Sequence, residues 1–202
     1  MNHLDAAAVR PRIGRSPATT RGELSHIALG LFLQRGFDET TVDDIVKAAG
    51  IGRRTFFRYF TSKNDLPWGE FDDLLDGMRA HLSSVPRDVP LMEALRQAVV
   101  EFNRFPADEI PFHRQRMWLL LNVPDLMAHS TLRYSGWRQV VAEFVAHRRE
   151  EPPNSLAAQS IAWVCLSLCL AAYEQWLERD DADLLDLLDE AFDRIAEAFG
   201  AP

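Results

Sequence analysis

Twenty residues, "TVDDIVKAAGIGRRTFFRYF" from Thr41 to Phe60, leave this chain few folding options. Thr41 with Asp44 three positions later forms a capping box variant, so a helix starts there. Val42, Ile45 and Val46 repeat at helical spacing, and Gly50 closes the element. After Ile51-Gly52 a second short helix is predicted from Arg53 to about Phe60. Two short helices joined by "AGIG", the second one basic, describe a helix-turn-helix.

The second helix sorts by face. Phe56 and Phe60, four apart, point inward, while Arg53, Arg54, Phe57 and Arg58 share the opposite arc with Thr55 and Tyr59 between. An exposed Phe57 is wasteful on a solvated face but useful against sugars or a thymine methyl. The plain alternative is a surface helix with a basic tint. Charge distribution favours the first reading. The chain carries a formal net charge of -8, yet residues 1–63 hold ten Lys+Arg against six Asp+Glu, and residues 64–202 hold twelve against twenty-four. A basic end on an acidic body suits a protein that meets a polyanion at one end only.

Upstream, "RGELSHIALGLFLQRG" places Leu24, Ile27, Ala28, Leu31 and Phe32 on one helical face ending at Gly36. Residues 1–20 show no apolar periodicity and carry Arg10, Arg12 and Arg15, so a disordered basic arm is expected. Such an arm is either a solvated tail or a segment that follows phosphates or enters a minor groove. The first residues have no apolar signal-peptide core, which points to the cytoplasm.

Beyond Phe60 the chain reads as helices punctuated by prolines, with no alternating β-branched run, so the fold is expected to be all-α. Ser62 and Asp65 form another capping box, and Pro67 is placed to kink or delay the helix that follows. Ser155 to Tyr173 holds no charged residue. Gln159, Ser160 and Ser167 interrupt that stretch, so it is read as a helix buried between its own domain and a partner, not as a membrane span. The last helix puts Leu184, Leu187, Leu188, Ala191, Phe192, Ile195 and Phe199 on one stripe. Together these two helices predict a symmetric four-helix dimer interface, with Leu166 and Leu170 in its seam.

Catalytic chemistry finds no foothold. The six histidines sit on separate predicted helices, no glycine-rich phosphate loop is present, and the acids of "DDADLLDLLDE" fit a solvated helix face. No metal site and no cofactor are expected. Cys165 and Cys169 share a helix face and read as small core residues. Residues 105–145 are richer: Phe105, Arg114, Met117, Trp118, Leu121, Tyr134 and Trp137 are candidates for a small-molecule pocket. Arg114, Arg116, Arg133 and Arg138, in such apolar company, must find acids, solvent or a ligand anion. A ligand-independent structural or nucleoid-type DNA binder is the rival reading, and it would need no pocket.

The stretch "IALGLFLQRGFDETTVDDIVKAAGIGRRTFFRYFTSKNDL", Ile27 to Leu66, resembles the N-terminal signature of the TetR family of bacterial transcriptional regulators. The resemblance implies three parts: a basic arm over 1–20, a DNA-binding domain over 21–66, and a ligand-binding and dimerisation domain over 67–202. It implies a homodimer on a palindromic double-stranded operator, released by a small-molecule effector. Thr41 and Lys63 match positions that contact phosphate. Arg53, Arg54 and Thr55 match positions that read bases and the adjoining backbone, with Arg58 beside them on the same arc. Phe57 and Tyr59 also match family positions, but Phe57 lacks a hydroxyl for any phosphate bond. "PLMEALRQAVVEFNRFP" and "HSTLRYSGWRQVVAEFVAHR" further resemble a subgroup encoded with mycofactocin biosynthesis genes. That likeness implies a local repressor with a long-chain acyl-CoA type effector.

Overall fold

The computed structural model describes residues 19–199. The expected basic arm, with Arg10, Arg12 and Arg15, lies outside them. Among the described residues nine α-helices follow one another: α1 (Arg21–Arg35), α2 (Val42–Ala48), α3 (Arg53–Tyr59), α4 (Phe71–Ser84), α5 (Leu91–Phe102), α6 (Ile110–Asn122), α7 (Pro124–Arg149), α8 (Leu156–Glu178) and α9 (Leu184–Phe199), with a 3-10 turn at Lys63–Trp68. The described residues contain no strand, and the fold is all-α.

Side chains mark the starts. Thr20 and Thr41 each accept from the amide three residues on, and Glu23 and Asp44 return the favour, which satisfies amides that a helix N-terminus leaves unpaired. The Ser62–Asp65 box behaves differently from expectation. It opens the 3-10 turn, with Pro67 inside it, and α4 begins only at Phe71. Pro67 has no N–H to give an α-helical ladder, so the chain reverses at Gly69, whose φ of 46° suits glycine, before a long helix starts.

The first three helices close around Leu24, Ala28, Phe32, Ile45, Phe56 and Phe60, all buried. Truncating Phe56, which is fully buried, would cost about 3–5 kcal/mol. Ser25 Oγ donates to the Leu66 carbonyl at 2.7 Å and holds the 3-10 turn to α1, while His26 ties the head to the body by meeting Glu109 at 3.2 Å and stacking on Phe112.

In the body α8 packs between α7 and α9. By length and composition α8 could cross a membrane. Its apolar side is used inside the bundle, where Ala158, Ala162, Cys165, Cys169 and Ala172 let neighbouring helices approach closely. The helix is not covered all round by its own chain. Trp163 remains 52% exposed, with Val164, Ser160 and Ser167 beside it. Here the sequence reading is corrected. Leu166 is only 5% exposed and belongs to the chain's own core, and Leu170, half-buried, packs on that core too. The uncovered apolar strip is instead Trp163 and Val164 next to Ile195 and Ala196 of α9.

Candidate DNA interface and effector cavity

On α3, Arg53, Arg54, Phe57 and Arg58 all face solvent, Thr55 and Tyr59 are half-buried, and Phe56 anchors the helix from below. The ring of Phe57 stands edge-on to Phe56, 5.1 Å between centroids, so an exposed aromatic is held upright by a buried one. Arg53 reaches Asp43 on α2 at 3.3 Å, an exposed pair of the kind that contributes little and is easily exchanged for phosphate. Arg58 lies over the Tyr59 ring and donates to its hydroxyl at 3.2 Å. Arg54 has no hydrogen bond or ion pair among the described residues, leaving its whole fork available to a guanine edge.

Two expected phosphate contacts have internal duties. Thr41 is engaged with Asp44, whose carboxyl sits below its ordinary value because the Thr41 hydroxyl, then its amide, donate to it. Lys63 donates its ammonium to the carbonyls of Phe37 (2.8 Å), Thr40 (3.2 Å) and Asp38 (3.4 Å), and rests over the Phe37 ring. Its three N–H groups staple the α1–α2 loop. A phosphate would gain from its charge and would have to compete for its hydrogen bonds.

The body encloses a cavity of about 70 Å³ between the 3-10 turn, α4, α6, α7 and α8. Phe105, Met117, Tyr134 and Trp137 line it; Arg114, Trp118 and Leu121 do not. The reason is a register. Residues 114, 117, 118 and 121 form one face of α6, and 113, 116, 117 and 120 form the face one residue round. With "MWLLL" apolar throughout, periodicity could not choose between them. Trp118 is 49% exposed on the outer face, and Leu121 packs against the core away from the cavity. Arg114 crosses Trp176 and donates to the carbonyls of Leu177 and Arg179 at the end of α8, where helix carbonyls need donors.

His113, Asn103, Tyr173 and Trp68 are cavity residues that the sequence did not point to, and of the four arginines offered a ligand anion only Arg116 is among the lining. The Tyr173 hydroxyl donates to Asn103 Oδ1, so it must accept from His113 Nε2, 2.8 Å away. That fixes the tautomer, with the proton on Nε2 and a bare lone pair on Nδ1. Burial, reinforced by the Arg116 charge, pushes the His113 pKa down to about 3, so the ring is neutral. Burial likewise raises the Cys165 thiol to about 12 and Cys169 well above its ordinary value, which keeps both as inert core groups. Arg133 and Arg138 find partners elsewhere: Arg133 pairs with Asp65 and Asp72, and Arg138 lies 3.7 Å above Trp163.

One buried carboxylate joins cavity and head. Asp65 accepts from the Ser62 amide (3.0 Å), His129 Nε2 (2.9 Å) and Arg133 Nη2 (3.0 Å). Burial pushes its carboxyl up, and the hydrogen bonds from Arg133, His129 and Ser62 outweigh that, holding it below 3.8. Arg133 is the α7 neighbour of Tyr134, which lines the cavity, and Asp65 sits two residues from Lys63, which staples the α1–α2 loop.

Comparison with known proteins fits this anatomy. The family model of bacterial regulatory proteins of the tetR family matches residues 26–66, and the MftR C-terminal domain model matches residues 89–200. Mycobacterium tuberculosis MftR, named for regulating mycofactocin biosynthesis, is 42% identical over 91% of this chain and 93% of its own length. Streptomyces glaucescens TcmR, a helix-turn-helix regulator, is 26% identical over 89% and 82%. A TetR-family regulator from Syntrophomonas wolfei superposes with a TM-score of 0.64 at 14% identity, covering 90% of this chain and 96% of that one. Thermus thermophilus FadR, solved with lauroyl-CoA, gives 0.59 at 22% identity with the same coverage. These relatives are transcriptional regulators and not enzymes, and the chain belongs to the TetR family of bacterial transcriptional regulators.

Proposed function

We propose that this protein is a repressor of mycofactocin biosynthesis genes, released from a palindromic operator by a long-chain acyl thioester. The observation that carries the control mechanism is the Arg133–Asp65 contact, which couples the cavity-lining helix α7 to the turn that supports the DNA-binding head. Two α3 faces in a homodimer would enter successive major grooves, about 34–36 Å apart or a multiple of it. Similarity to MftR supports the gene target, and a shared fold with a regulator solved with lauroyl-CoA supports the acyl ligand.

Cavity size supplies the switch. Its roughly 70 Å³ is about half the volume of an apolar cavity that holds one benzene, near 150 Å³. An acyl chain therefore enters only as the body opens, and affinity for the opened shape over the closed one is what shifts the equilibrium. Each buried methylene adds about 0.8 kcal/mol, so release should steepen with chain length. Acyl-coenzyme A esters of increasing length, titrated against protein on a labelled operator duplex, test this. Release by free coenzyme A alone, or release indifferent to chain length, refutes the acyl reading.

A further inference from the structure

The cavity contains a cation that the protein itself does not neutralise. Arg116 on α6 lines it, is half-buried, and makes no hydrogen bond or ion pair among the described residues; its Nε is fully buried without a partner. Burial pushes the guanidinium down from its ordinary range, but arginine stays protonated in proteins. Its neighbours do not help. His113 is neutral, and with Nε2 committed to Tyr173 it supplies no negative charge. Glu109 and Glu70 act on Arg116 only at a distance, and neither bonds to it.

Other donors belong to the same lining residues. Trp68 is among them, and its Nε1 is buried without an acceptor. The Tyr134 hydroxyl lies near Ser130 but has no partner at hydrogen-bond geometry. Three buried side-chain donors without partners among the described residues, those of Trp68, Arg116 and Tyr134, thus belong to residues around one small cavity. Buried polar groups are normally satisfied, and buried charges are normally paired. Here the missing counterpart is an anion with two acceptor oxygens, set among aromatic and aliphatic walls.

We propose that Arg116, with Trp68 and Tyr134, forms a carboxylate-binding subsite, so that the cavity takes an apolar acid in its free, ionised form. This rests on the reading of the cavity as the effector site, and it replaces the thioester of that reading with a free carboxylate as the head group. A neutral thioester carbonyl would leave the guanidinium charge uncompensated, whereas a carboxylate can accept two of its parallel N–H groups. The carboxylate lies inside the body and the hydrocarbon stem runs along the walls past Met117 and Trp137.

Octanoate, 1-octanol and octanoyl-coenzyme A, matched in chain length, separate the possibilities when titrated calorimetrically into the full-length protein. Octanoate should bind at least tenfold tighter than 1-octanol. Arg116→Met should abolish that preference while retaining octanol binding, and Arg116→Lys, which keeps the charge, should restore part of it. Arg116→Met should also melt no lower than the unaltered protein without ligand, since it removes an unpaired, half-buried charge. Equal binding of octanoate and octanol, or an undiminished octanoate preference in Arg116→Met, overturns the subsite. Binding of octanoyl-coenzyme A without octanoate also overturns it but leaves the cavity as effector site. Failure of all three to bind overturns both.

Discussion

Arg54 and His113 show how differently two residues of one chain use their surroundings. Arg54 is exposed and unpaired on α3, with its fork free for a base edge. Arg54→Ala should lower specific operator affinity by about 1–3 kcal/mol and relax preference at one base pair. Gel-shift titration against operator variants reads this, and unchanged affinity would remove α3 as the base-reading helix. His113 is the opposite case, buried and neutral. Its folded pKa of about 3 lies below its ordinary 6.5, so between those values the unfolded chain binds more protons than the folded one. Stability therefore falls as pH drops from 6.5 toward 3, by up to roughly 1.4 kcal/mol per pH unit from this group. His113→Gln should flatten denaturant-melt stability between pH 6.5 and 5. An unchanged slope would mean that His113 is not the buried neutral group described here.

At the scale of elements, α7 carries two kinds of residue one turn apart. Tyr134 and Trp137 face the cavity, and His129 and Arg133 grip Asp65 below the head. On the proposed mechanism, a displacement of α7 by a ligand would pass first to the Ser62–Trp68 turn and then, through the Lys63 contacts, to the loop before α2. Arg133→Gln removes one grip while leaving the Ser62 cap in place. It should cost about 1.5–3 kcal/mol of stability, as for a lost hydrogen bond to a charged group. It should also need at least fivefold more ligand for operator release at unchanged ligand affinity, the lower end of usual coupling. Measuring ligand binding and operator release separately on the same variant decides it. Parallel shifts in both would locate the defect in the cavity and not in the link.

For the molecule as a whole, the uncovered strip of Trp163, Val164, Ile195 and Ala196 defines where a second copy would sit. Trp163→Glu combined with Val164→Glu places charge in that seam and should give monomer, read by light scattering, with operator affinity falling as two half-sites become one. A persisting dimer would move the interface elsewhere. Much of this anatomy was legible in the residues, because local rules govern it. Thr41 with Asp44, Gly36 and Gly50 fix helix ends within a few positions, and the spacing of Phe56 and Phe60 orients α3 without reference to the rest of the chain. Which side of an all-apolar helix faces inward is not a local matter. Sequence spacing puts the α6 candidates on its 114–118–121 face and Leu166 and Leu170 of α8 outward, and packing turns both helices the other way. Only the tertiary structure brings Trp68 of the 3-10 turn, His113 and Arg116 of α6 and Tyr134 of α7 around one cavity, since they come from three separate elements and an unpaired charge is invisible until its neighbours are known. Sequence sets the period and the caps; the contacts that long-range packing forms decide which face of each period is buried.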